Sequence, residues 1–182
     1  MEEFYSLTPD LARNLWGIPR ATARVRGIKE YEDIRGIVNF YQTNRGVIVN
    51  VELTGMPYED GRCGVNFHGF HIHEGSSCTG DENDPLKNVG MHYNPTNCNH
   101  PAHSGDLLPL ISNNGYVWEN FLINTFKVED IIGRTVVIHE QRDDFRSQPA
   151  GDSGKKIACG EIRWKRAGTM ARPYNYSFSN SK

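Results

Sequence analysis

The sequence predicts an all-β fold, a sandwich or barrel of about eight short strands broken by two long functional loops. Three observations lead there. Apolar–polar alternation recurs in runs of five to eight residues. Turn signals separate the runs, in a chain with 18 Gly and 9 Pro among 182 residues. No helical pattern of useful length interrupts them.

The runs follow in order. Ala21–Arg26 (ATARVR) and Arg35–Tyr41 (RGIVNFY) alternate. Gly46–Leu53 (GVIVNVEL) follows a turn at Asn44-Arg45-Gly46. Phe67–His73 (FHGFHIH) alternates apolar residues with histidines. Leu107–Ile111 and Tyr116–Ile123 flank Asn113-Asn114-Gly115. Asn-Gly supplies the positive φ of a tight hairpin turn. Thr135–His139 (TVVIH) and Ile157–Trp164 complete the set. Glu74–Asp106 and Glu140–Lys156 are the long connections, and loops of that length inside a compact domain tend to carry function.

Residues 1–20 read as an N-terminal extension with a brief helix over Leu11–Trp16, residues 21–166 as the β domain, and residues 167–182 as a flexible tail. Lys+Arg is 20 and Asp+Glu is 22, a net charge of -2, which argues against a general nucleic-acid binder. No apolar run is long enough to span a bilayer, so no membrane partner is expected. No basic-then-apolar leader is visible, which reads as cytoplasmic, with an exported form left open by the cysteines.

All seven histidines fall between His68 and His139. In a strand the side-chain period is two, so His71 and His73 share a face. With His139 at the end of another strand they make three imidazoles suited to copper. Taken alone, the pair better fits the solvated polar face of an edge strand. His100, His103 and Asp106 fall at i, i+3 and i+6 in the loop HYNPTNCNHPAHSGD (His92–Asp106). A carboxylate with several imidazoles matches tetrahedral zinc; the alternative is a polar surface loop with incidental histidines.

Five ordered motifs, HGFHIHE (His68–Glu74), GMHYNP (Gly90–Pro95), HSGDL (His103–Leu107), GRTVVIHE (Gly133–Glu140) and ACGEI (Ala158–Ile162), resemble the copper/zinc superoxide dismutases over roughly Ala21 to Arg166. The resemblance implies a Greek-key β-barrel. It implies copper on His71, His73, His92 and His139, and zinc on His92, His100, His103 and Asp106, with His92 bridging. It also implies conversion of superoxide to O2 and H2O2 by alternating Cu(II) and Cu(I), with superoxide anion as substrate. Asp143 falls where the family joins a copper histidine to a zinc histidine, and His68 where it has a structural histidine. Cys78 and Cys159 fall on the family's disulfide; Cys63 and Cys98 remain, either as a second bridge or as free thiols.

The sequence departs from the family in three places. Lys156 stands where an anion-orienting arginine is usual; it keeps the charge and loses the planar fork, so lowered activity is expected. The loop Glu140–Lys156 is short. The stretch Glu74–Cys78 is also short and Gly55–Asn66 long, so a monomer or an atypical homodimer is expected. The competing function is a copper/zinc-binding or metal-buffering protein with little turnover.

Overall fold

The computed structural model describes residues 17–59 and 66–165. The helix expected over Leu11–Trp16, most of the N-terminal extension, the tail and Cys63 lie outside these residues. Among the described residues, no helix is long and apolar enough to cross a membrane.

Among the described residues nine strands form: β1 (Ala21–Gly27), β2 (Arg35–Thr43), β3 (Gly46–Thr54), β4 (Phe67–His68), β5 (Phe70–His73), β6 (Leu110–Ile111), β7 (Val117–Ile123), β8 (Thr135–His139) and β9 (Lys156–Trp164). One short helix, α1 (Val128–Ile131), lies between β7 and β8. The large sheet is antiparallel with order β5-β8-β9-β1-β2-β3-β7, and β4 pairs with β6 in a separate ladder. That small ladder links the two edges of the large sheet. β4 runs into β5 through Gly69, and β6 reaches β7 through the Asn113–Tyr116 turn, so the sheet curls on itself. The all-β expectation is met, and the turn carries the expected positive φ at Asn114 and Gly115, 49° and 80°.

Two details differ from the sequence reading. Phe67–His73 is two strands, because Gly69 leaves one ladder for the other: its N–H donates to Gln141 O and its carbonyl accepts from His139 N–H. The run Leu107–Ile111 pairs only at Leu110 and Ile111. Leu107 instead donates its N–H to Phe70 O, on the other edge of the curled sheet.

Burial follows the period of two. Ala21, Ala23 and Val25 of β1 point into the core while Arg24 and Arg26 face water. Val38 and Phe40 of β2, Val47, Val49, Val51 and Leu53 of β3, and Val117 of β7 enter the same core. β5 and β8 are buried on both faces. Phe70, Ile72, Val136 and Ile138 join the main core. Their alternate residues His71, His73 and His139 are also buried, under the long loops.

A smaller cluster pins the first long loop. Leu86 and Val89 pack with Ile28, Val137 and Cys159, and Cys78 and Cys159 form a disulfide across 81 positions. The second long loop is fastened at both ends to the turn after β1. Glu30 pairs with Lys155, and Tyr31 donates to Glu140. A register shift between Ile138 and His139 leaves Ala158 opposite Ile138 and Lys156 opposite His139, so Ile157 is the extra residue of a bulge. Bulges of this kind re-aim side chains beside functional sites.

Candidate metal centre

Two groups of ligand-type side chains meet on the outer face of β5 and β8. His71, His73, His92 and His139 form one; His92, His100, His103 and Asp106 form the other. Within each, the ligand atoms lie within 4.8 Å of one another, and His92 belongs to both. The strand period brings His71 and His73 to one face, as the sequence implies. The loop follows because its backbone returns to β5: His73 bridges to His92 and His71 to Asp106.

Hydrogen bonds to protein acceptors fix the tautomers. His73 Nδ1 donates to Gly90 O at 2.9 Å and His139 Nδ1 to Gly154 O at 3.2 Å. A carbonyl only accepts, so each ring leaves its Nε2 lone pair free. Those two Nε2 atoms face one another at 3.4 Å. Two lone pairs at that distance repel unless a cation lies between them. His71 Nε2 donates to Asp143 Oδ2 at 2.7 Å and His100 Nε2 to Asp143 Oδ1 at 2.9 Å. That leaves His71 Nδ1 and His92 Nε2 buried without a hydrogen-bond partner, and the His100 Nδ1 lone pair facing Asp106 Oδ2 at 3.1 Å with no proton between them. Buried polar atoms are rarely left orphaned. Nitrogen lone pairs converging in two clusters fit ions of the kind imidazole and carboxylate hold.

His92 presents both nitrogens to ligand groups. Its Nδ1 lies 2.8 Å from Asp106 Oδ1 and 3.4 Å from His103 Nδ1, while Nε2 turns to the other group. Asp106 is held by the His103 N–H at 3.0 Å.

The electrostatics keep the site in ligand form. Burial lowers the His71 imidazole, pulls His73 well below its ordinary range and brings His139 down to about 3. Burial alone would raise Asp143. Hydrogen bonds from His71, the Phe145 N–H and His100 outweigh it and hold that carboxyl at about 2. At neutral pH the His71, His73 and His139 imidazoles are therefore uncharged and Asp143 ionised.

Other expected residues lie nearby in different roles. His68 is outside both groups; its Nδ1 is 3.1 Å from Glu140 O and its Nε2 3.2 Å from Pro57 O, which ties the end of β8 to the segment after β3. Lys156 Nζ donates to Asp84 Oδ2 at 2.7 Å and to Leu86 O at 3.1 Å. Cys98 is exposed, its thiol 3.3 Å from Thr96 Oγ1, and belongs to neither group.

Sequence reasoning missed four residues. The carbonyls of Gly90 and Gly154 accept from His73 and His139, and no side-chain pattern signals a carbonyl. Asp84 sits in a loop with no motif. Gly151 has φ +65° and lies so close that a Cβ there would stand 2.0 Å from Asp143 Oδ1; only glycine lets that loop close over the carboxylate.

A curled antiparallel sheet bearing paired histidine clusters that share one imidazole defines a two-metal β-barrel enzyme. The comparisons with known proteins specify which. The family model described as "Copper/zinc superoxide dismutase (SODC)" matches residues 34–162. "Superoxide dismutase [Cu-Zn] A" of Xenopus laevis is 34% identical over 146 residues, 71% of this chain and 89% of that protein. "Extracellular superoxide dismutase [Cu-Zn]" of Drosophila melanogaster is 35% identical over 147 residues, 71% and 75% of the two. The solved Cu/Zn superoxide dismutase from Brucella abortus aligns with a TM-score of 0.65 at 26% identity, over 78% of this chain and 98% of that one. The chain belongs to the copper/zinc superoxide dismutase family: it is an oxidoreductase that converts superoxide to O2 and H2O2 with copper and zinc as cofactors.

Proposed function

We propose that His71, His73, His92 and His139 hold the copper of this dismutase, and that His92, His100, His103 and Asp106 hold its zinc. The observation that carries the assignment is the pair of buried nitrogens without a hydrogen-bond partner, His71 Nδ1 and His92 Nε2, together with the His100 Nδ1 lone pair facing Asp106 Oδ2 at 3.1 Å. Bound there, copper supplies one-electron oxidation and reduction of superoxide, and zinc supplies a fixed charge with no redox chemistry.

The chain's own residues do the rest. Two superoxide anions and two protons give O2 and H2O2, so one half of the cycle must deliver protons. His92 is suited to that: its Nε2 has no hydrogen-bond partner on the protein, so a proton taken up there is not trapped by a neighbouring acceptor. Asp143 orients His71 and His100 together, coupling the two groups. His68 is a structural support. Lys156, opposite His139 in the β8–β9 register, is the cation that draws and orients the anion. The disulfide Cys78–Cys159 holds the first loop against β9.

The test is metal analysis paired with superoxide decay. The expected result is one copper and one zinc per chain, with loss of copper in His71→Ala and of zinc in His103→Ala. Full occupancy in both variants would overturn the ligand assignment.

For assembly, we propose a monomer or a homodimer that does not pair through β1 and β9. Arg24, Arg26, Lys29 and Arg163 line the outer groove of that face against one carboxylate, Glu161, which pairs with Arg163, and Arg26 lies opposite Arg35 in register. A two-fold copy there would set arginine against arginine. Sedimentation equilibrium decides it; a dimer broken by Arg26→Glu would overturn it. We also propose a cytoplasmic location, which recovery of the protein in an exported fraction would overturn.

A further inference from the structure

The first long loop delivers a carboxylate to the cation beside the copper-side histidines. Asp84 is fixed by its own turn. The Asp81 carboxylate accepts from the Asp84 N–H at 3.0 Å, Asp84 O accepts from the Asp81 and Lys87 N–H groups, and Asp84 Oδ1 accepts from the Leu86 N–H at 3.1 Å. Leu86 and Val89 then anchor the segment on β8 and β9. With Oδ1 occupied, Oδ2 is what the loop presents, and Lys156 Nζ meets it at 2.7 Å. The ammonium also donates to Leu86 O at 3.1 Å, so two of its three donors go to this loop. The bulge at Ile157 puts the same lysine opposite His139.

We propose that Asp84 is a positioning residue that tethers the Lys156 ammonium to the first loop and so limits its reach toward a small anion at His71, His73 and His139. The proposal rests on the reading of Lys156 as the anion-orienting cation. Physically, an ammonium in contact with a carboxylate acts on a third charge as a dipole, not as a full charge. Its four-carbon stem is flexible once released. Asp84 thereby sets anion uptake without touching the anion itself.

Asp84→Asn keeps the Oδ1 acceptor for the Leu86 N–H and removes the charge. Because the pair is partly exposed, with side chains 41% and 21% accessible, the variant is expected to keep its fold. The experiment titrates azide against the copper- and zinc-loaded protein, following the Cu(II) visible band. It uses the natural chain, Asp84→Asn, Asp84→Glu, Lys156→Met and the Asp84→Asn/Lys156→Met double variant. Titrations run in dilute buffer and in about 0.5 M salt of a non-coordinating anion, where the long-range field of an exposed charge is screened within several ångströms.

The expected result in high salt is azide bound about threefold more tightly by Asp84→Asn. The natural affinity is expected in Asp84→Glu, and no effect of Asp84→Asn when Lys156 is Met. An equal effect in both backgrounds would mean that Asp84 acts only as a repelling charge, and would overturn the tether. No tightening in Asp84→Asn would overturn it too. If Lys156→Met alone leaves azide affinity unchanged in dilute buffer, the reading of Lys156 fails first, and the tether falls with it.

Discussion

His71 Nε2 donates to Asp143 Oδ2 across 2.7 Å, with both side chains buried. The other oxygen of the same carboxylate takes His100 Nε2 at 2.9 Å. One aspartate thus sets the tautomer and the ring angle of a histidine in each metal group. Asp143→Ala is expected to lower the affinity for copper and for zinc together, each by about 10–100-fold. Competitive chelator titrations measure both. A fall confined to one metal would show that the bridge does not couple the sites.

The disulfide closes a loop of 81 positions, and chain entropy gives it about 4–5 kcal/mol. The double variant Cys78→Ser/Cys159→Ser is expected to lose unfolding free energy of that order and so to unfold at a lower denaturant midpoint. The comparison belongs on metal-free protein, where bound ions do not add their own stabilisation. An unchanged midpoint would show that Leu86 and Val89 hold the loop without it.

The metal-free protein should lose stability on acidification in a defined window. The His139 imidazole is at about 3 in the folded state against 6.5 unperturbed, and His71 and His73 are lowered in the same direction. The unfolded chain therefore binds more protons between those limits, and stability falls as pH drops from about 6.5 toward 3. Asp143, at about 2 against 3.8, adds a loss between those two values. Urea midpoints of metal-free protein from pH 8 to pH 4 check the histidine part. A flat profile below pH 6.5 would contradict it.

Lys156→Arg is expected to raise the superoxide rate constant, by about twofold or more. A guanidinium has five donors, so it can keep Asp84 and Leu86 O and still offer an N–H to an anion. Pulse radiolysis at low salt measures it. A rate below that of the natural chain would mean that this position is tuned for lysine.

How much of the site is legible in the chain depends on how far apart its parts lie. His71 and His73 are two residues apart on one strand, and the period of a strand alone aligns them. The order of the five motifs then predicts which imidazoles meet. The register does not follow so easily. Phe67–His73 alternates without a break, and nothing local announces that Gly69 carries the chain from one ladder to another.

Alternation, turn chemistry and motif order, all short-range features, determined the all-β class, the ligand types and the special place of His92. The residues that meet Lys156 and His71 lie far off in the chain: Asp84 is 72 residues from Lys156, and Asp143 is 72 from His71. Only the curled sheet, the bulge at Ile157 and the packing of Leu86 and Val89 decided that these groups touch. The carbonyls of Gly90 and Gly154 belong to the same class, since every residue has a carbonyl and the fold alone chooses which one a histidine meets.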